Sequence, residues 1–237
     1  RALANRVAPL LDEMNAALTD AANSQIVVRG TLRLNVTGAV MPDILPPLIE
    51  AYLARHSEVR VEIAVEDRLV DVTALGFDAG VRYGEHLALD VIALPIGPQT
   101  QQLALAASPN YLAARGIPLH PTEILEHDCI RLKFSNGKLI QWEMERSGET
   151  LTVDPVARLT VGVNAVDSAI NFARSGGGII ATFQNWLDAD FERGTLLPVL
   201  PDWWMSFEGP QLYFSSRFMP PPLRAFVDLL KEKPVNS

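Results

Sequence analysis

A hydroxyl group and a run of backbone amides meet in this chain at Thr37 and Gly38. The stretch GTLRLNVTGAVMPDILPPLIEAYLARH (30–56) alternates apolar and polar residues up to Thr37, which is typical of a strand. From Leu45 to Leu53 apolar residues recur at spacings of three and four, which indicates a helix. A strand that ends just before a helix presents amides and a hydroxyl to an anion such as a carboxylate. The alternative is that Thr37 only caps the helix.

A second group of reactive side chains lies close together in sequence: His120, Glu123, His127, Asp128 and Cys129. Their spacing matches neither a pair of cysteines nor a helical His-Glu-x-x-His site. The segment LHPTEILEHD reads as an exposed helix with a polar face, and we predict no metal site there. We expect Cys129, between Asp128 and an apolar residue in a predicted strand, to be a buried and inert thiol.

The glycine cluster SGGG (175–178) does not have the arrangement of a phosphate-binding loop. Such a loop leaves a strand and enters a helix, whereas here a helix precedes the glycines and a strand follows them. The sequence also lacks a Gly-x-Ser-x-Gly motif, and its four histidines form no recognisable pair with a nucleophile. We therefore predict no catalytic residues and no cofactor, and we do not expect an enzyme.

Composition limits the classes of protein to which the chain can belong. Its 237 residues, of which 48% are hydrophobic and 20% charged, can bury the core of one large or two small domains. A formal charge of -8 repels nucleic-acid phosphates, so we expect no DNA binding by this segment. One cysteine indicates a reducing compartment, and with no secretory signal and no long apolar run we predict a cytoplasmic protein without a membrane partner.

The first residues show a different pattern from the remainder. Apolar positions alternate at spacings of four and three over about three heptads, as in a coiled coil; they are Leu3, Val7, Leu10, Met14, Ala17 and Ala21. Pro9 disfavours an uninterrupted helix. We predict a linker and dimerisation helix over residues 1–24, and the alternative is an amphipathic helix packed on its own globule.

From residue 30 onward strand and helix patterns alternate, which predicts an α/β fold with a parallel sheet. A strand at 31–37, a helix at 43–55 and a strand at 59–65 form one βαβ unit. LVDVTALG and FDAGVRYG provide a second step from helix to strand. SPNYLAARG has the pattern of a helix capped by Ser108. Near the C terminus, QLYFSS predicts a strand and PPPLRAFVDLLKE a helix.

These segments, in this order, resemble the effector-binding domain of LysR-type transcriptional regulators. The resemblance is carried by the stretch from Gly30 through VRVEI, by FDAGVRYG, and by NAVDSAINFARSGGGIIATF (164–183). It implies two Rossmann-like subdomains joined by two crossing strands, similar to a type 2 periplasmic binding protein and preceded by a linker helix. On this basis we expect crossings near 100–106 and 210–215. Residues 30–104 and 210–237 would then form subdomain I, and residues 105–209 subdomain II.

The resemblance also implies a small effector in the cleft between the subdomains. Carried over position by position, the effector-binding residues would be Thr37, Gly38, Arg82, Thr100, Gln101, Val163, Asn164 and Phe183. Arg82 is the cation in this set, so we predict an anionic effector. The alternative is that Arg82 pairs with a neighbouring carboxylate such as Asp78.

The family implies further partners and leaves two rival functions. A winged helix-turn-helix would precede Arg1, so DNA would be bound only through that domain, and we expect a homodimer or homotetramer. The chain begins without Met, which agrees with a fragment of a longer protein. One rival is a free-standing solute-binding protein of a transport system, and the other is an enzyme on a similar two-lobed scaffold. The second lacks a convergent set of base, nucleophile or metal ligands.

Overall fold

A computed structural model describes residues 27–66, 74–84, 91–215 and 219–232. The helices and strands of these ranges are, in chain order, β1 (Gly30–Val36), α1 (Leu45–Arg55), β2 (Val59–Val65), β3 (Ala79–Arg82), β4 (Val91–Pro95), β5 (Thr100–Ala107), α2 (Pro109–Arg115), β6 (Cys129–Lys133), β7 (Trp142–Arg146), β8 (Glu149–Val153), β9 (Ala157–Gly162), α3 (Val166–Arg174), β10 (Ile179–Phe183), α4 (Gln184–Arg193), β11 (Leu197–Val199), β12 (Ser206–Glu208), β13 (Gln211–Ser215) and α5 (Pro221–Glu232). Short 3-10 turns occupy Gly38–Val40, Pro121–Glu126, Val163–Ala165 and Pro201–Trp203.

The first lobe is built on a sheet whose strands, within the described ranges, follow the order β2-β1-β3-β13-β4. Strand β1 pairs in parallel with β2 and β3, and β13 pairs antiparallel with β3 and β4. Helices α1 and α5 cover this sheet with apolar side chains, and the Tyr52 hydroxyl donates to the carbonyl of Pro222 at 2.7 Å. The last helix of the chain therefore belongs to the first lobe.

The second lobe contains a sheet with strand order β11-β5-β10-β6-β9 and the separate hairpin β7–β8. Successive residues of β5 and β10 enter different cores: Leu105 and Ala181 pack on one face, Ala106 and Ile180 on the other. Because both faces are buried there, β10 and the part of β5 from Leu103 onward are mostly apolar rather than alternating in polarity. Ser147 and Gly148, which both have positive φ, form the turn between the two strands of the hairpin.

Two chain segments connect the lobes, and they are paired with each other. The Ile96 amide donates to Pro210 and the Gly209 amide donates to Gln99, at 2.9 and 2.8 Å. Strand β12 then continues the ladder by pairing antiparallel with the start of β5. The chain thus passes between the sheets at 96–99 and 209–210, whereas β13, where the second crossing was expected, lies wholly in the first sheet. The division at 104/105 and 209/210 stays a prediction.

Several elements have the bounds or caps that the sequence predicts, and others differ. Strand β2 has the predicted bounds, and Ser108 caps α2 by accepting from the Tyr111 amide. The helix predicted at 43–55 begins later, at Leu45, after a 3-10 turn. The segment expected to be an exposed helix at LHPTEILEHD is a 3-10 turn at Pro121–Glu126. The linker helix at 1–24 and most of LVDVTALG fall outside the described residues.

Helix α4 was not predicted from the sequence. It begins directly after β10, its N-cap residue Phe183 provides no capping side-chain bond, and few of its residues are apolar. Its inner face buries Leu187 together with the carboxylate of Asp190, a residue type that normally indicates an exposed face. No helix of the described ranges combines the length and the apolar composition needed to cross a membrane.

Gly209 allows the two crossing segments to approach each other. A Cβ at this position would lie 1.8 Å from the carbonyl oxygen of Pro98, which is backbone and cannot rotate away. We expect Gly209→Ala to destabilise the fold by about 1–3 kcal/mol, the usual cost of overpacking. Urea unfolding followed by tryptophan fluorescence measures the change.

Gly162→Ala is the matched control for this experiment. A Cβ at Gly162 would meet the side-chain oxygen of Asn164 at 2.6 Å, and that side chain is exposed and can move. We expect its free energy of unfolding to remain within about 1 kcal/mol of the parent chain. Equal stability of the two variants would show that the crossing is not tightly packed.

Candidate functional site

A cavity of about 350 Å³ lies between the two lobes, on one side of the crossing segments. This volume is at the lower end of the range for small-molecule sites, roughly 300–1,000 Å³. We call it the cleft cavity. Its walls are formed by Thr37, Gly38, Ala39, Arg82, Tyr83, Leu103, Leu132, Phe134, Ile140, Gln141, Glu143, Val163, Thr182, Phe183, Trp186, Met205 and Phe207.

The first lobe contributes the polar wall of the cleft cavity. Strand β1 ends at Val36, Thr37 is in the extended conformation, and the 3-10 turn at Gly38–Val40 follows. The Thr37 hydroxyl accepts from the Ala39 amide at 3.5 Å, a long bond that leaves room for a better partner. Thr37 therefore is a cap, as one sequence reading expected, and it also faces the cavity.

Arg82, the last residue of β3, is 3% exposed and lines the same wall. Its guanidinium donates to the backbone carbonyls of Asn35 and Val81 at 3.2 and 2.7 Å, and to the side-chain oxygen of Asn35. These bonds fix the orientation of the guanidinium at the carboxyl edge of the first sheet. Asp78, considered from sequence as a partner of Arg82, accepts from the backbone amide of Arg33 at 2.7 Å.

Aromatic side chains from both lobes line the cavity. Phe183 at the end of β10 stacks on Tyr83 of the first lobe, with ring centroids 5.4 Å apart and an interplanar angle of 23°. The rings of Trp186 and Phe207 lie 4.8 and 5.6 Å from that of Phe183. Such offset and tilted contacts are the arrangements that aromatic pairs favour. Tyr83, Phe183, Trp186 and Phe207 form what we call the aromatic cluster.

A chain of hydrogen bonds joins the lobes beside the aromatic cluster. The Tyr83 hydroxyl donates to the Gln101 side chain at 2.7 Å, and Gln101 donates to Asn185 at 3.1 Å. Asn185 in turn donates to the carboxylate of Asp43 in the first lobe. Burial, and then the nearby Asp43 carboxylate, raises the pKa of Tyr83, so its hydroxyl stays protonated and remains a donor.

Helix α4, which carries Asn185 and Trp186, is anchored at its other end by a buried ion pair. Asp190 is fully buried, and its two oxygens accept from Arg174 at 2.7 and 2.6 Å. The hydrogen bonds from Arg174 lower the pKa of Asp190, which remains ionised. A two-point bond between planar groups fixes orientation as well as distance. It thereby holds the cleft end of α4 in position.

The structure brings together most of the residues predicted for the site. Thr37, Gly38, Arg82, Val163 and Phe183 line the cleft cavity. Thr100 and Gln101 line a separate groove of about 910 Å³, together with Asp43 and Asn185, and Gln101 reaches the cleft through Tyr83. Asn164 is exposed and lies at neither surface. The predicted roles of these residues in effector binding stay predictions.

Sequence reasoning missed several cavity residues. Thr182 occupies in the second lobe the position that Thr37 has in the first, at the carboxyl end of a central strand. Trp186 was missed because α4 was not predicted. Glu143 was missed because the β7–β8 hairpin reaches the cavity through tertiary packing, which the sequence pattern does not reveal. Polar residues at strand ends were the available signal, and Thr182 could have been found with it.

The reactive side chains between 120 and 129 have separate partners. His120 caps the turn that follows it, His127 contacts the Tyr111 hydroxyl at 3.1 Å, and Asp128 pairs with Arg158 at 2.9 Å. In the described part of the chain, no three His, Cys, Asp or Glu side chains group closely enough to hold a metal ion. Gly178 nearby has φ of 135°, and a Cβ there would lie 2.2 Å from the Asp128 carbonyl oxygen. The glycine cluster is thus a turn between α3 and β10.

Two α/β lobes, two crossing segments and a ligand-sized cleft between them define a domain with the periplasmic-binding-protein-like fold. The sequence pattern of the family described as "LysR substrate binding domain" matches residues 26–234. The chain belongs to this family. It is the effector-sensing part of a LysR-type transcriptional regulator, and the reading as a free-standing solute-binding protein is not favoured.

Comparisons with known proteins agree with this assignment. The HTH-type transcriptional regulator YcaN of Escherichia coli K12 is 30% identical over 230 residues, covering 97% of this chain and 74% of YcaN. The regulatory domain of AphB from Vibrio vulnificus superposes with a TM-score of 0.75 at 22% identity, covering 86% of this chain and 98% of that one. CrgA, a LysR-type regulator from Neisseria meningitidis, gives a TM-score of 0.73 at 23% identity, covering 96% and 76%. The two structures show the shared fold.

Cys129 gives a test of the packing of the second lobe. The residue is fully buried in β6, as predicted, and burial raises the pKa of its thiol to about 12. At pH 8 the thiolate fraction is then about a thousandfold below that of an ordinary thiol. We expect native protein to react with Ellman's reagent very slowly, and urea-unfolded protein to react at once. Rapid reaction of the native chain would contradict a closed core around β6.

Proposed function

We propose that the cleft cavity is the effector site of this regulator and that the effector is a small anion. The observation that supports the proposal most directly is the position of Thr37 and Arg82. Thr37 follows β1 and Arg82 ends the neighbouring strand β3, so both lie at the carboxyl edge of the first sheet, and both line the cleft cavity. The edge where parallel strands end is the usual ligand site of open α/β sheets.

The polar wall has the chemistry that a carboxylate requires. The amides at the start of the 3-10 turn carry partial positive charge, the Thr37 hydroxyl can donate, and Arg82 adds a full positive charge. On the opposite wall the described lining includes the polar side chains of Gln141 and Thr182 but no Lys, Arg or His, and apolar side chains predominate. We therefore expect the anionic group of the effector to face the first lobe.

A ligand in this position would contact both lobes at once. Phe183 of the second lobe already stacks on Tyr83 of the first, and the Tyr83–Gln101–Asn185–Asp43 bonds run beside them. A ligand shifts a conformational equilibrium only by its difference in affinity for the two states. Contacts to both lobes stabilise the closed arrangement specifically. This supports a signal transmitted as a change in the angle between the lobes.

The proposal also covers how the full regulator binds DNA, how it assembles and where in the cell it works. We expect DNA to be bound by a helix-turn-helix domain elsewhere in the full regulator, because this chain carries a net charge of -8. We expect the regulator to work in the cytoplasm, in agreement with a single, buried cysteine. Family membership supports a homodimer or homotetramer.

The oligomeric state can be measured directly. Sedimentation velocity of residues 1–237 at tens of micromolar should give a species of at least twice the 26.0 kDa chain mass. Replacing Leu10 and Met14 together by Glu should weaken assembly through the heptad segment, because like charges would occupy an apolar seam. The circular dichroism spectrum of the globular part should be unchanged. A parent chain that sediments as a monomer contradicts the assembly proposal.

Thr37→Val tests the polar wall. The replacement keeps the β-branched shape and removes the hydroxyl, so it should weaken binding of a carboxylate by about 0.5–1.5 kcal/mol, or more if the bond is charge-assisted. A carboxylate panel screened by thermal shift gives the probe, and titration calorimetry gives its affinity. A ligand at 100 times its dissociation constant stabilises the parent chain by about 2.7 kcal/mol, and this stabilisation should shrink in the variant.

Thr31→Val is the matched control, since Thr31 lies near the other end of β1 and away from the cleft cavity. It should leave the dissociation constant unchanged. Unliganded Thr37→Val should melt near the parent chain, because the hydroxyl makes one long bond. If a ligand that competes for the cleft binds Thr37→Val as tightly as the parent, Thr37 serves only as a cap.

Arg82→Ala separates the role of charge from that of structure. We expect a larger loss of carboxylate affinity than in Thr37→Val, because a charge-assisted contact loses its cation. Folding should also weaken, since the buried oxygens of Asn35 lose their donor. Arg82→Lys retains the charge but not the two-point bond to Asn35. It should recover part of the affinity for a carboxylate, and full loss in Arg82→Lys would indicate a purely structural role.

A further inference from the structure

The groove of about 910 Å³ is a second cavity of this domain, and it has no part in the proposed function. It lies on the other side of the crossing ladder from the cleft cavity. Gln102 and Ser206, which pair in register, line the groove, whereas their chain neighbours Leu103 and Met205 line the cleft cavity. The volume of the groove is at the upper end of the range for small-molecule sites, roughly 300–1,000 Å³. It is therefore large enough for a ligand of its own.

Uncharged polar side chains supply most of the hydrogen-bonding groups of the groove. Four amide and two hydroxyl side chains line it: Gln101, Gln102, Gln184, Asn185, Thr100 and Ser206. Amides and hydroxyls each donate and accept hydrogen bonds. A ligand matches such a surface when its adjacent atoms also do both, and the neighbouring hydroxyl groups of a sugar or polyol have this property.

Hydrogen bonds within the protein already orient several of these amides. Gln102 donates to the Ser206 hydroxyl at 3.0 Å. Gln101, which is buried, donates to the half-buried Asn185 at 3.1 Å and so holds it in place. An amide carries two donor hydrogens and an oxygen with two lone pairs, so one internal bond leaves the accessible amides able to bond a ligand as well. Groups that are oriented before binding lose less conformational freedom when the ligand arrives.

The first lobe and the first crossing add an apolar surface. Pro47 and Leu48 of α1, together with Pro95 and Pro98, line the groove. Removing apolar surface from water favours binding. A sugar ring has C–H groups on its faces and hydroxyl groups at its edge, so it can bury a face against the prolines while its edge bonds to the amides.

Two carboxylates determine which ligand charge the groove accepts. Asp43 of the first lobe and Asp188 of α4 line it, and the described lining residues include no Lys, Arg or His. An acidic group on a ligand would be repelled by these carboxylates, whereas hydroxyl groups can donate to them. The groove therefore favours a neutral polyhydroxylated molecule over a phosphorylated or carboxylated one.

We propose that the groove is a second ligand site, separate from the cleft, that binds a neutral polyhydroxylated molecule such as a mono- or disaccharide. Gln102, Gln184 and Asn185 bond the hydroxyl groups, and Asp188 acts against acidic sugars. The proposal does not depend on the effector of the cleft cavity, because no residue of the polar wall at Thr37 and Arg82 lines the groove.

The ligand class is tested with sugars matched in size and differing in charge. Residues 1–237 are screened by saturation-transfer NMR against glucose, galactose, maltose and lactose, and the dissociation constant of each sugar that binds is measured by titration. Glucuronate and galacturonate serve as the acidic counterparts of the two monosaccharides, and putrescine serves as an organic cation. We expect at least one neutral sugar to bind saturably, and both acids and putrescine to bind several-fold more weakly than that sugar.

Gln102→Leu assigns the binding to the groove. It removes one amide at nearly constant size and should weaken binding of the tightest sugar by about 2- to 12-fold, the range for one uncharged hydrogen bond. Gln141→Leu is the matched control, because it makes the same replacement in the lining of the cleft cavity. This control and Thr37→Val should leave sugar binding unchanged. Asp188→Asn should reduce the discrimination against glucuronate and galacturonate, because it removes one of the two repelling charges.

The results distinguish this proposal from that for the cleft. If none of the four sugars binds saturably, or if putrescine or the acids bind as tightly as the best sugar, the ligand class is wrong. If sugar binding responds to Gln141→Leu or Thr37→Val and not to Gln102→Leu, the sugar occupies the cleft cavity and the groove is not its site. Carboxylate binding that depends on Thr37 is compatible with each of these outcomes, so failure of the groove proposal leaves the proposed function standing.

Discussion

The pairing of the two crossing segments is the constraint on which the arrangement of this domain depends. Backbone bonds join Ile96 to Pro210 and Gly209 to Gln99, and β12 extends the ladder along β5. Gly209 lets the segments approach to a distance that no side chain would permit. Because β5 continues into the second sheet, between β11 and β10, this ladder fixes where the second lobe sits relative to the first. The cleft cavity and the groove lie on its two sides.

Side chains at the ladder connect the cleft to both lobes. Gln101, near the start of β5, bonds to Tyr83 of the first lobe and Asn185 of the second, so a displacement of either lobe must break or remake its bonds. Asn185 and Trp186 share α4, whose far end is held by the buried pair of Arg174 and Asp190. This pair fixes the end of α4 that lies away from the cleft, while Asn185 and Trp186 lie at the end near it.

The sequence predicted most of the fold because local patterns agree with the final packing. The alternation in β1, the Ser108 cap of α2 and the apolar face of α5 each appear in the structure as expected. Helix α4 was missed because its stability comes from tertiary contacts, chiefly a buried carboxylate that sequence rules assign to solvent. The three-residue strands β11 and β12 are too short for any periodicity. They form because each pairs antiparallel with β5.

The candidate site likewise combines residues that the sequence pattern predicts with residues that only tertiary packing brings together. The first-lobe wall could be predicted, since Thr37 and Arg82 follow strands and polar residues at strand ends are a readable signal. The second-lobe wall combines residues from β5, β6, β7, α4 and β12, and their convergence follows from sheet order rather than from spacing in sequence. Gln101, whose contact with an effector stays a prediction, lines the groove, and its side chain accepts from the Tyr83 hydroxyl. Position along a strand alone does not determine which face a residue presents once two segments cross.

The central claim is that a carboxylate effector occupies the cleft cavity with its charge toward the first lobe. A crystal structure of the chain grown with a saturating carboxylate, chosen from the panel by thermal shift, tests it most directly. The account predicts electron density for the ligand in the cavity, with a carboxylate oxygen about 2.7–3.2 Å from a donor at Thr37–Ala39. A ligand bound elsewhere, or bound in the cavity with its carboxylate toward Glu143, would contradict it.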